Sequence, residues 1–220
     1  MIIMALDHTR DFFHQPAWTQ DPLNLSTTTP ILYFTRWITH LCAPTFVFLA
    51  GAGAFFQRQR KSKKELSSFL ITRGLWLLFV EIVIINFAFS FDIRYSVIGL
   101  QTIWSIGISM IVLGLMVWLP FTVILITGAV IVTGHNLLDL YEARAGFNFT
   151  NQPEWLYSLV HRPGFYKLWD GTSLLILYPF LSWAGLMMLG YGFGKLFLKY
   201  EGGQRRKVFL LLGTAILIFF

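Results

Sequence analysis

The sequence predicts an all-α, polytopic transmembrane helix bundle, truncated at both ends. Three observations carry that expectation. Charged residues make up 13% of the 220 residues while 55% are hydrophobic, with a mean hydropathy of +0.62; a soluble domain carries about 25% charged residues. Several apolar runs approach or exceed the roughly 20 residues a helix needs to cross about 30 Å of hydrocarbon. The surplus of positive charge, 17 Lys+Arg against 11 Asp+Glu, is bunched where such runs end.

Taken in order, Met1–Leu6 is apolar but too short to span, and reads as the end of a first helix. Spans are expected at Ile31–Phe56, Leu66–Phe91 and Gly99–Leu119. Pro120 has no N–H to give a helix ladder, so Phe121–Gly134 forms the second arm of a tight helical hairpin. A further span covers Ser173–Leu198, and Val208–Phe220 stops inside an apolar run. The chain therefore reads as an internal fragment forming one transmembrane domain over residues 1–220. A signal peptide fits badly, because no basic leader and no small-residue cleavage site accompany Leu6. The single cysteine, Cys42, allows neither an intramolecular disulfide nor a Cys-based metal cluster.

Ten of the 17 Lys+Arg fall in two runs: Arg58, Arg60, Lys61, Lys63 and Lys64, then Lys195, Lys199, Arg205, Arg206 and Lys207. They cap apolar segments rather than line a soluble face, which excludes a nucleic-acid partner. The positive-inside rule makes residues 57–65 and 195–207 cytoplasmic. Residues 7–29 and 135–172, with the Asp92–Ile98 link, are then extracytoplasmic. Four of the five histidines (His8, His14, His135 and His161) gather on that side with Asp7, Asp11, Asp92, Asp139 and Asn136.

On a helix, positions 7, 10, 11 and 14 share one face, which groups Asp7, Arg10, Asp11 and His14, with His8 about a quarter turn aside. A carboxylate one turn from an imidazole fixes its tautomer and raises its basicity, as a general base or nucleophile requires. The alternative is a solvated helix end with ordinary ion pairs. Arg36 and His40 stand i, i+4 on the next helix, Arg36 about 8 Å below its end at 1.5 Å per residue. Pro44 is expected to kink the helix just below His40. Charge at that depth needs a partner, and Glu81 in the following helix is the natural one; a structural clamp between helices is the competing reading. His135, Asn136 and Asp139 lie where the segment after Pro120 emerges, either as part of the same polar chamber or as a cap-rich turn. Glycines 51, 53, 185, 190, 192 and 194 suit close helix packing. No CxxC, HExxH, GxSxG or phosphate-cradling glycine loop is present, and no metal is expected.

The stretches "MALDHTRDFFH", "TRWITHLCAPTFVFLAG", "LQTIWSIGISMIVLGL", "GHNLLD" and "YPFLSWAGLMMLGYGFG" occur in this order over essentially the whole chain. Together they resemble bacterial members of the heparan-alpha-glucosaminide N-acetyltransferase family, part of a wider transmembrane acyltransferase superfamily. The resemblance implies a multi-pass enzyme of the bacterial inner membrane. Such an enzyme takes acetyl groups from cytosolic acetyl-CoA and delivers them to an extracytoplasmic amine or hydroxyl, typically on a sugar. It implies His14, in "FFHQPAW", as the catalytic histidine, with His8 as its rival. Asp7 stands where lysosomal members carry Asn, and His40 where they carry Asp. Asp7 and Asp11 would orient the histidine; Arg10, Arg36, His40, Glu81, His135, Asn136 and Asp139 would contact substrate. The expected partners are the lipid bilayer, acyl-CoA and a small-molecule or glycan acceptor, with a homo-oligomer left open. The alternative function is a proton-coupled transporter or channel using Arg36, His40 and Glu81 as a relay.

Overall fold

The computed structural model describes residues 2–13, 24, 26, 28–145 and 154–219. It forms two compact units, Met1–Phe46 and Val47–Phe220.

In the first unit α1 (Ile2–Phe13) packs on α2 (Pro30–Thr39). Thr29 caps α2, its hydroxyl accepting Leu32 N–H at 3.4 Å, and Pro30 occupies the first turn, where a missing N–H costs nothing. The expected single span Ile31–Phe56 is interrupted: α2 ends at Thr39 and α3 (Cys42–Arg58) begins after His40 and Leu41. Pro44 is the cause, because it cannot donate to the carbonyl of His40 and its ring crowds that carbonyl. Leu41 N–H turns instead to Ile38 O at 3.3 Å, and the ladder resumes with Thr45 N–H to Leu41 O at 3.1 Å. The kink expected below His40 takes the form of this break.

The second unit begins within α3. Ser62 and Glu65 form a reciprocal capping box that starts α4 (Lys63–Phe79). A π-helix (Val80–Ile85) and α5 (Asn86–Ser90) continue it without a break. After strand β1 (Val97–Leu100) come α6 (Thr102–Met116), α7 (Phe121–Gly134) and α8 (Asn136–Ala145). Then follow α9 (Glu154–Val160), strands β2 (Gly164–Trp169) and β3 (Thr172–Ile176), α10 (Phe180–Lys199) and α11 (Gly202–Phe219). α4 packs on α6, and α10 on α6 and α7, around Val47, Leu66, Leu113, Ile124, Met187 and Tyr191. Apolar side chains gain little by leaving lipid, so close backbone approach has to hold helices together. A Cβ on Gly51 would strike the Met187 carbonyl, and one on Gly190 would strike that of Phe48. Among the described residues no atom lies within 4 Å of a Cβ built on Gly53, so none of them uses it for the close packing expected there.

Among the described residues, four helical stretches are long and apolar enough to cross a membrane: Pro30–Arg58, Lys63–Ser90, Phe121–Leu140 and Phe180–Lys199. α6 is a shorter apolar helix. The helical bundle expected from composition is thus present, with one addition. A three-stranded sheet of order β1-β3-β2 pairs β1 parallel and β2 antiparallel to β3. Gly99 and Ser173, read from sequence as the first residues of spans, lie instead inside its strands β1 and β3. Gly171, at φ +88°, closes the β2–β3 turn in a conformation that favours glycine. Leu100, Leu174 and Ile176 bury one face of the sheet against Trp104, Trp155 and Leu159. The segment read as a long loop therefore carries α8, α9 and β2.

Candidate functional site

The α1 backbone is helical from Ile2 to Phe13, so positions 7, 10 and 11 fall one turn apart as expected and His8 stands aside. His14 lies outside the described residues. Arg36 occupies the last turn of α2, and His40 follows as its C-cap, donating its N–H to Arg36 O at 2.9 Å. These residues belong to the first unit; the remaining candidates belong to the second.

Glu81 sits inside the π-helix, 1% exposed. A π-turn inserts an extra residue and frees a carbonyl, and such turns recur at functional positions. Glu81 Oε1 accepts the backbone N–H of Gln101 at 2.7 Å, at the residue before α6. Within the second unit the partner of Glu81 Oε1 is thus a main-chain amide; Arg36 and His40, the partners expected for it, belong to the first unit. Glu81 Oε2, Trp104 Nε1 and Ser105 Oγ are buried without a hydrogen-bond partner among the described residues. Trp104 and Ser105 lie one turn along α6 from Gln101, on the same side. Beside this node, Asn86 acts as a substitute strand. Its Nδ2 donates to Gly99 O at 2.9 Å and to Glu81 O at 2.8 Å, and its Oδ1 accepts Gly99 N–H at 2.5 Å. Gly99 is in β1, an edge strand, so the Asn86 amide covers main-chain groups that lipid could not satisfy. Beyond the spanning helix, Asp92 accepts Ser96 N–H at 2.8 Å and Arg94 N–H at 2.9 Å. Hydrogen bonds from Ser96, then from Arg94, hold its carboxyl below the usual carboxylate range.

A second polar group forms at the end of α7. The Nδ1 of His135 lies 3.0 Å from Val132 O and 3.2 Å from Ile131 O. Carbonyls only accept, so Nδ1 is the donor in these contacts. His161, just after α9, places its Nε2 2.9 Å from Asp139 Oδ1. A carboxylate oxygen likewise accepts, so Nε2 is the donor in this pair. The His161 side chain is 4% exposed and Asp139 61% exposed. The ring of Tyr157 stands 5.7 Å from that of His161, and the ring of His135 6.4 Å away at 74°. Asn136, exposed, opens α8 between them in sequence. Local spacing could not reveal the His161–Asp139 pair, because the fold joins residues 22 apart. Among the described residues no group of three His, Cys, Asp or Glu could hold a metal ion.

A family model described as heparan-alpha-glucosaminide N-acetyltransferase, catalytic, matches residues 1–218. The chain belongs to that family. No curated protein and no solved structure matches it. As a member of the heparan-alpha-glucosaminide N-acetyltransferase catalytic family, the chain is of acetyltransferase type, and its helices have membrane-spanning character. The match takes in α1, the break at His40, the Glu81 node and the His135–Asp139–His161 group alike.

Proposed function

We propose that the protein is a multi-pass acetyltransferase that moves an acetyl group from acetyl-CoA to an amine or hydroxyl on the far side of the membrane, on a sugar. The family match over residues 1–218 is the observation that carries this reading. It reaches nearly end to end, and the spanning helices supply the barrier such a transfer has to cross. Both basic runs are assigned to the cytoplasm of a bacterial inner membrane. Between them lie Lys63–Ser90, Thr102–Met116, Phe121–Leu140 and Phe180–Lys199, an even number of helical stretches, which supports one side for both.

His14 is the residue for which we propose the chemistry, with His8 as its rival. As a base it would take the proton from the acceptor while the acceptor's N or O attacks the thioester carbonyl; the C–S bond breaks and the thiolate leaves with a proton as the thiol. As a carrier it would first accept the acetyl group itself, releasing the thiol, and the acceptor would attack second. Asp7 and Asp11 would orient the ring, with Arg10 beside them. Arg36, His40 and Glu81 would line the donor's path or steady the developing oxyanion. His135, Asn136 and Asp139 would meet the acceptor.

The test is acetyl transfer from labelled acetyl-CoA to a panel of amino sugars by the reconstituted protein. Loss of a general base or nucleophile should cost about 10²-fold or more, so His14→Ala should fall at least that far while His8→Ala retains most activity. Undiminished transfer by His14→Ala would overturn the role of His14.

A further inference from the structure

The fold joins the two basic runs around one turn. Lys63, from the first run, donates its Nζ to Trp118 O at 3.1 Å. Lys195, from the second, sets its Nζ 4.3 Å from the centre of the Phe121 ring. Trp118 and Phe121 bracket the turn between α6 and α7, so a lysine from each run stands at either end of it. Arg58 is drawn to the same place. It stands against the hydroxyl of Tyr191, which lies one turn before Lys195 on α10 and whose ring is 6.1 Å from that of Phe121.

The charge gathered there lacks a counterpart. Residues 57–65 and 195–207 hold ten cations and two carboxylates, Glu65 and Glu201. Glu65 is engaged by Ser62, whose N–H and hydroxyl both donate to its Oε2 at 2.8 Å. Among the described residues no carboxylate pairs with Arg58, Lys63 or Lys195. Hydroxyl, carbonyl and ring position these cations without neutralising them. Between the lysines the turn exposes apolar surface: Trp118 is 53% exposed and Leu119 41%. The Trp118 ring is fixed in that position by its Nε1–H, which donates to Ser67 Oγ at 3.1 Å. A soluble phosphate would gain from the cations and nothing from Trp118 and Leu119. A phospholipid supplies both a negative phosphate and acyl carbon, and tryptophan favours the boundary between them.

We propose that the turn between α6 and α7, flanked by Lys63 and Lys195 with Arg58 beside them, is a docking site for an anionic phospholipid. The phosphate meets the two lysines, and Trp118 and Leu119 meet the start of the acyl chains. The site lies on the face assigned to the cytoplasm. It holds whether or not the protein transfers acetyl groups, so its failure and that of the proposed function are separate outcomes.

The experiment is native mass spectrometry of the full chain in detergent, titrated with phosphatidylglycerol and separately with phosphatidylcholine of the same acyl chains. The unaltered protein should bind phosphatidylglycerol at least tenfold more tightly. Lys63→Gln combined with Lys195→Gln should remove that preference, since each lysine beside anionic lipid is worth about fivefold in affinity. Arg206→Gln combined with Lys207→Gln removes the same charge from exposed positions on α11 and should leave most of the preference. Equal losses in the two double variants would reduce the site to diffuse attraction by net charge and overturn it. Equal binding of the two lipids by the unaltered protein would overturn it as well, and no folding defect enters that comparison. Adenosine 3′,5′-bisphosphate, added as a soluble phosphate, should leave the bound phosphatidylglycerol in place; displacement would assign the lysines to a soluble ligand and overturn the lipid site.

Discussion

Replacing Asn86 by alanine uncovers the free edge of the sheet where the surroundings offer little water. Three hydrogen bonds disappear, two to Gly99 and one to Glu81 O. Side-chain hydrogen bonds between membrane helices average about 0.6 kcal/mol each, so their direct loss is worth about 2 kcal/mol. Glu81 O keeps the backbone N–H of Asn86 and is not orphaned. Gly99 N–H and C=O are orphaned, in a residue that is buried, and an unpaired buried polar group costs about 1–3 kcal/mol. Partial relaxation of the edge lowers that sum, and we expect Asn86→Ala to destabilise the protein by about 2–4 kcal/mol. Asn86→Asp should be at least as damaging: it keeps an acceptor for Gly99 N–H but loses both donors and sets a carboxylate against two carbonyls. The assay is equilibrium unfolding in mixed micelles of increasing dodecyl sulfate, followed by tryptophan fluorescence. An Asn86→Ala variant within about 0.5 kcal/mol of the unaltered protein, the usual range for a surface substitution, would refute the substitute-strand argument.

Gly190→Ala drives a methyl into the Phe48 carbonyl and should cost about 1–3 kcal/mol in the same assay. Gly53→Ala meets nothing and should be neutral, or stabilising by up to about 1 kcal/mol from helix propensity. Equal effects at the two positions would contradict the packing assigned to α3 and α10. Asp92 has its carboxyl held low in the folded protein, so its stabilising effect is present above the ordinary carboxylate pKa and fades as pH falls through the folded value. The thermal midpoint of Asp92→Ala should therefore lie below that of the unaltered protein at neutral pH, with the two curves converging in acid; a gap that widened in acid would invert the sign.

Much of the fold was legible because lipid imposes a simple rule on length and hydropathy. α4 with its extension, α7 and α10 follow from that rule, and Pro44, four residues beyond His40, marks the break there. The strands were hidden for a physical reason. "SVIGLQTIW" and "TSLLILYPF" are short continuous apolar runs, which periodicity cannot distinguish from the start of a buried helix. Only pairing between 97–100 and 172–176, together with the Asn86 amide, makes them strands, and none of that is local. The candidate site was legible in the same uneven way. His135 and Asp139 could be placed beside each other from one turn of helix, whereas His161 reaches Asp139 only through the folding of α8 and α9. Glu81 was recognisable as an expensive intramembrane carboxyl, but its π-helix and its bond to Gln101 N–H were not.

The central claim is acetyl transfer across a membrane, and one measurement bears on it most directly. The protein is reconstituted into sealed vesicles with its basic ends outward, acetyl-labelled acetyl-CoA outside and an amino sugar enclosed. The account predicts protein-dependent appearance of label on the enclosed sugar, abolished by His14→Ala. Label remaining on coenzyme A while the protein carries solute or protons across the same vesicles would contradict it.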